Sequence, residues 1–108
     1  MKEQTNAIQE FNQASVNSEN QRYVLQLYIA GSSPRSQRAV VNVQMICKKL
    51  LSDVCELQII DIFQQPLLAK VEQILAVPTL IKKLPTPRRI FIGDMSNTDA
   101  IIASLNVQ

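Results

Sequence analysis

The segment Tyr23 to Ala30, YVLQLYIA, is almost continuously apolar, rich in β-branched and aromatic residues, and stops at Gly31. Such a run predicts a strand buried on both faces, which needs covering elements on either side. The next residues supply the first of them. Gly31-Ser32-Ser33-Pro34 reads as a helix start, with Ser33 as the cap and Pro34 in the first helical position. Ala39, Val43, Ile46 and Leu50 then repeat at helical spacing, with Val40, Cys47 and Leu51 widening the stripe, so the helix is expected to run to about Leu51. Lys48 and Lys49 suit its C-terminal dipole. Cys55 to Ile62, CELQIIDI, alternates as a second strand. Strand, helix and strand make a minimal βαβ unit, whose crossover is right-handed and whose strands are parallel.

The remainder of the chain continues the alternation. Pro66 opens a helical pattern to Leu75 with Leu67, Leu68, Val71, Ile74 and Leu75 as its expected buried face. Val77-Pro78 follows, a position where a cis bond turns the chain sharply between a helix and a strand. Thr79–Leu84 and Arg88–Ile92 are short apolar segments joined by Pro85-Thr86-Pro87, a stiff connection compatible with an antiparallel hairpin. Ser96 or Asn97 caps a last helix that turns Ile101, Ile102 and Leu105 inward, with Asp99 near its positive end. The predicted order is βαβαββα.

Composition limits the function. The 108 residues support one domain, read as 21–108, preceded by a polar, mobile extension over 1–20 in which Ile8 and Phe11 share a helix face if that segment docks. No apolar run approaches the roughly 20 residues of a membrane span, and the N-terminus lacks an apolar signal core, so the expected location is cytoplasmic. Cys47 and Cys55 lack CxxC spacing and are expected to be unpaired packing residues. With no histidine and two scattered cysteines, neither an ordinary zinc or copper site nor histidine-based acid/base chemistry is expected. Residues 1–20 hold one Lys and three Glu, which leaves the rest at +4, short of the basic stripe of a nucleic-acid binder.

The element order, with a proline just ahead of the third strand, resembles a thioredoxin-like α/β sandwich. The segments YVLQLYIAGSSPRS, LQIIDIFQQP, ILAVPTLIKKLPTP and RRIFIGDMS, in order and without gaps, resemble the signature segments of the KaiB family of cyanobacterial circadian-clock proteins, from Tyr23 to about Leu105. The resemblance implies a non-catalytic module without cofactors that binds KaiC, a hexameric ATPase, modulates its phosphorylation cycle, and in some cases sequesters KaiA. It also implies two folds: a tetrameric ground state of order βαββααβ and a monomeric thioredoxin-like state that binds KaiC, the switch residing in the half that begins near Val77-Pro78. The sensor domain of the clock kinase SasA is a relative that keeps the thioredoxin-like form. Thioredoxins carry CxxC where a helix N-terminus lowers a thiol pKa; here that junction reads Ser32-Ser33-Pro34-Arg35, so redox exchange is not expected.

Departures from the family pattern refine the expectation. The C-terminal Gly-Leu-Asp segment of clock members is Ser104-Leu105-Asn106 here, which shifts the balance between folds differing by only a few kcal/mol. Gln58 stands where clock members commonly carry Lys, with Glu56 nearby, which weakens the expectation of KaiA contact. A thioredoxin-like adaptor in a stress or metabolic system is the alternative. The candidate partner-binding residues are Tyr23, Arg38, Lys82, Lys83, Arg88 and Arg89, and the fold-determining ones Pro78, Pro87, Ser104 and Asn106. Each has an ordinary counterpart. Lys82, Lys83, Arg88 and Arg89 converge as a partner patch or an aggregation-blocking edge. Arg38 on the polar side of the first helix is a KaiC contact or an exposed arginine. Tyr23 is a packed aromatic or a contact. Asp61 is read as a strand-end surface residue rather than a buried carboxylate.

Overall fold

The computed structural model describes residues 22–50 and 54–106. Its elements are β1 (Arg22–Ile29), α1 (Pro34–Lys49), β2 (Val54–Asp61), α2 (Pro66–Val71), β3 (Thr79–Leu84), β4 (Arg89–Ile92) and α3 (Thr98–Asn106). This is the βαβαββα order that the residue pattern predicts. The expected extension over 1–20, with Ile8 and Phe11, lies outside the described residues.

The four strands form one sheet in the order β2-β1-β3-β4. β1 and β2 are parallel, as a helical crossover requires, from Arg22 opposite Val54 to Ile29 opposite Asp61. β3 returns antiparallel to β1, with Leu27 opposite Leu80, and β4 pairs antiparallel with β3, with Leu80 opposite Phe91. Since opposed residues share a face, this register sorts the side chains into two sets. Tyr23, Leu25, Leu27 and Leu80 join Ala39, Val43 and Ile46 of α1 and Ile101 and Leu105 of α3 in the main core. Tyr28, Ile60 and Ile81 form a smaller cluster on the other face, with Leu68, Ala69 and Ile74 packed against it. Fully burying a Leu, Ile or Val contributes about 1.5–3 kcal/mol, so the α1/α3 face carries most of the stabilisation.

α1 begins as the sequence predicts. Ser33 Oγ accepts the Ser36 amide at 3.2 Å and its hydroxyl donates to Ser36 Oγ at 2.9 Å, while Ser36 Oγ accepts the Ala30 amide at 3.0 Å. Pro34 occupies the first turn. The buried Ser36 thus ties the end of β1 to the helix start. Gly31 between them has φ +57°, a left-handed conformation that favours glycine, and the Phe63 ring lies 3.4 Å from where a Cβ would sit.

α2 is shorter than its periodicity suggests and differs in its packing. It ends at Val71, and Leu67, Val71 and Leu75 are exposed rather than buried; only Leu68 and Ile74 of the expected face reach the core. The cause is a Schellman-type stop. The Ile74 amide donates to the Ala69 carbonyl at 2.9 Å and the Gln73 amide to the Lys70 carbonyl at 3.1 Å, with Gln73 at φ 59°. Such stops usually use glycine, so the sequence gives no warning of one at Gln73. The short helix also leaves Val24 and Gln26 of β1 only partly covered, so β1 is buried from Tyr23 to Leu27 on one face and unevenly on the other.

The cysteine expectation is corrected. Cys47 near the end of α1 and Cys55 in β2 form a disulfide, with Cα atoms 6.0 Å apart. Both still pack against the main core. The pairing arises because β2 begins five positions after α1 ends and enters the sheet beneath the helix's last turn, a proximity that sequence spacing does not display.

Candidate interaction surface

The hairpin bearing the basic residues is positioned by Val77-Pro78. That peptide is cis, as are Leu84-Pro85 and Thr86-Pro87, and Pro78 is fully buried. Thr79 Oγ1 donates to the Ala76 carbonyl at 2.6 Å, and the Pro78 carbonyl accepts the Gly93 amide at 3.0 Å, holding the start of β3 to the end of β4. Pro87 is exposed in the connection between the strands.

The four basic residues do not form one patch. Lys82 and Arg89 are cross-strand partners on the α1/α3 face, where Lys82 also opposes Leu25. Lys82 is 1% exposed, and burial, then the neighbouring Arg89, pushes its ammonium pKa down from the usual lysine value. Lys83 and Arg88 instead reach Glu72, just after α2. Lys83 Nζ donates to Glu72 Oε2 at 2.7 Å and Arg88 donates to Oε1 at 3.3 Å. The Lys83 hydrogen bond is the largest cause holding the Glu72 carboxyl below its ordinary range. The period-two alternation of strands separates adjacent lysines, so sequence adjacency at Lys82-Lys83 is misleading as a guide to a shared surface.

A second polar cluster joins α1 to the β4–α3 connection. Arg38 Nε donates to Asp94 Oδ2 at 3.2 Å, Asn42 Nδ2 donates to the Asp94 carbonyl at 2.8 Å, and the Ser96 amide donates to Asp94 Oδ1 at 3.1 Å. Hydrogen bonds from Ser96, then Arg38, lower the Asp94 pKa. Beside Arg38, Pro34, Gln37, Val41 and Asn42 line an open depression. Val41 and Met45 are 57% and 42% exposed on the same side of α1, an apolar strip outside the periodic stripe that marks the helix's buried face.

Tyr23 is a core residue. It is 4% exposed, its hydroxyl donates to the Leu105 carbonyl at 3.1 Å, and burial raises its pKa. Ser104 is half-buried in α3 and Asn106 is its last residue. Asp61, expected at the surface, is half-buried and structural: Oδ1 accepts the Gly31 amide at 3.1 Å and the Phe63 amide at 2.9 Å. Glu56 and Gln58 are engaged along β2, Glu56 with Arg22 and Gln58 with Gln26 at 2.9 Å. No group of His, Cys, Asp or Glu among the described residues has the arrangement of a metal site. No helix among them is long and apolar enough to cross a membrane.

A sheet ordered β2-β1-β3-β4, entered at β3 through a cis-proline and flanked by α1 and α3 on one face and α2 on the other, is a thioredoxin-like domain. At its β1–α1 junction stand Ser32, Ser33, Pro34 and Arg35 in place of a dithiol. Solved thioredoxins share the architecture: Deadhead from Drosophila melanogaster superposes with a TM-score of 0.65 at 14% identity, covering 86% of this chain and 89% of that one. The N-terminal domain of SasA from Synechococcus elongatus has the same TM-score of 0.65 at 30% identity, covering 79% and 80% of the two chains. The KaiB domain matches residues 26–107. Circadian clock protein KaiB3 of Synechocystis sp. is 48% identical over 86 residues, 80% of this chain and 84% of that protein. The circadian clock oscillator protein KaiB of Thermostichus vulcanus is 44% identical over 85 residues, 79% of each. The chain belongs to the KaiB family, and as a member of it is not an enzyme.

Proposed function

We propose that this chain is a cytoplasmic interaction protein of a circadian-clock or related system, which binds a KaiC-type ATPase hexamer in the thioredoxin-like conformation and modulates its phosphorylation cycle. The observation that carries the reading is a KaiB-family sequence in the same fold as the SasA N-terminal domain, with Ser32-Ser33-Pro34-Arg35 where redox relatives need thiols. The α1 surface supplies a suitable contact. Arg38, Val41 and Met45 present a cation beside exposed apolar side chains on one rigid helix. A central apolar anchor with a polar margin is the arrangement that gives protein interfaces their affinity.

Of the basic hairpin residues, Lys83 and Arg88 are held by Glu72 and available only at its rim, whereas Arg89 reaches solvent from beside buried Lys82. Tyr23 supports the surface from within, its hydroxyl bonded to the Leu105 carbonyl of α3. Pro78 and Pro87 bound the hairpin, and Ser104 and Asn106 set the propensity of α3, which makes them determinants of which family fold is populated. The test is size-exclusion chromatography of the full chain with a KaiC-type ATPase from its own organism under ATP. A complex that forms with the native chain and is lost with Val41→Asp supports the reading; co-elution unaffected by Val41→Asp and Arg38→Ala moves the contact off α1.

The alternative, an adaptor in a stress or metabolic system, is favoured by the tied-down β2 surface, where Gln58 and Glu56 are bonded to Gln26 and Arg22 rather than presenting the family's lysine. It predicts binding to a paralogous ATPase ring and no association with KaiA.

A further inference from the structure

Two cations sit side by side on the core-facing side of β3 and β4, and among the described residues no carboxylate pairs with either. Lys82 and Arg89 are direct cross-strand partners, and the first is 1% exposed. Arg89 Nε is buried and has no hydrogen-bond partner. Among the described residues no carboxylate, hydroxyl or carbonyl accepts from the Lys82 ammonium either, whereas their sequence neighbours Lys83 and Arg88 are both paired to Glu72. Burying one cation away from water is costly, and a second like charge beside it adds repulsion. An oxyanion between them would relieve both terms at once. The two groups are complementary for that purpose: the guanidinium offers a planar fork and the ammonium a compact charge with three donors. Arg89 is only half-buried, so an anion can approach along its solvent-facing end.

We propose that Lys82 and Arg89 form a binding site for a single oxyanion group, a carboxylate or a phosphate, at the turn end of the β3–β4 hairpin. The site is separate from the α1 surface and does not depend on the identity of any partner. It explains why a lysine occupies a buried register position on the core-facing side of the sheet, opposite Leu25.

The test is an amide NMR titration of the full chain with sodium acetate and with sodium phosphate, against sodium chloride at matched ionic strength and one pH. The expected result is a saturable shift centred on residues 82 and 89 with at least one of the two oxyanions and absent with chloride. Arg89→Gln, at a half-exposed position, should weaken that binding at least tenfold, and Lys82→Met should abolish it. Lys82→Met should also melt higher than the native chain in chloride, because an uncompensated buried charge is gone, and should lose the specific oxyanion increment. Preference for acetate identifies a carboxylate, such as an acidic side chain, as the natural occupant; preference for phosphate identifies a free or esterified phosphate. Shifts that are linear, or equal in chloride, or unchanged in Arg89→Gln, overturn the proposal.

Discussion

Replacing Glu72 with Gln removes the carboxylate that ties the end of α2 to both strands of the hairpin. The side chain is 16% exposed and accepts from Lys83, which is 31% exposed, and from Arg88, which is 45% exposed. Arg88 is open enough that screening reduces its share to a few tenths of a kcal/mol, while the more sheltered Lys83 pair lies near the upper end of the range for surface ion pairs, about 1 kcal/mol. Removing a negative charge just beyond a helix C-terminus returns roughly 0.3 kcal/mol. The net expectation is a loss of about 1 kcal/mol, or roughly fivefold in the folding constant. Its pH dependence has a definite sign. The folded pKa of Glu72 is held below its ordinary 4.5, so the stabilisation is present above that value and is lost as pH falls through the folded pKa. Urea unfolding of the native chain and Glu72→Gln should therefore show separate midpoints at neutral pH that converge in acid, with unchanged slopes. Equal midpoints at neutral pH, or a gap that persists undiminished in acid, would refute the clamp.

Three other outcomes follow from the same structure. Ser33→Ala removes the α1 cap and the donor to Ser36, and should lower stability by about 1 kcal/mol in urea unfolding; an unchanged midpoint would show that the cap is dispensable. Reduction of Cys47–Cys55, which are 8 positions apart, should cost about 2–3 kcal/mol on loop-entropy grounds, and Cys47→Ser should melt with the reduced protein and ignore reductant. Identical melting with and without reductant would contradict it. Ser104→Gly combined with Asn106→Asp weakens α3 by roughly 0.5 kcal/mol in intrinsic propensity and should bring up a second set of NMR signals and a larger solution mass. One unchanged spectrum and one mass would refute that role for these positions.

The parts of the fold that were legible in the sequence are those with a local cause. Ser33 and Pro34 announce a helix start in their own chemistry, and β1 announces a core strand through an almost continuous apolar run, although its burial on the α2 face is uneven. The face chosen by each side chain was legible only where alternation was regular, as at Cys55, Leu57 and Ile59. Where a tertiary contact decided, the pattern misled. The apolar residues of α2 suggested a buried helix, but a left-handed Gln73 stopped it after Val71 and left Leu67, Val71 and Leu75 in solvent. Lys82 and Lys83 suggested one patch, but adjacent strand residues point to opposite faces, and the partner of Lys83 lies eleven residues back at Glu72. The roles of Asp61 and the cysteines are hidden from local pattern for a related reason. Their bonds to Gly31 and to each other depend on β1, α1 and β2 coming together, and no local rule encodes that.

Whether the half beginning at Val77-Pro78 adopts the thioredoxin-like arrangement is read directly by NMR of the isolated chain. The expected spectrum has helical secondary shifts across 98–106 and cross-strand contacts pairing Leu27 with Leu80 and Leu80 with Phe91. A strand signature as the last element, in the order βαββααβ, with those contacts missing would contradict it.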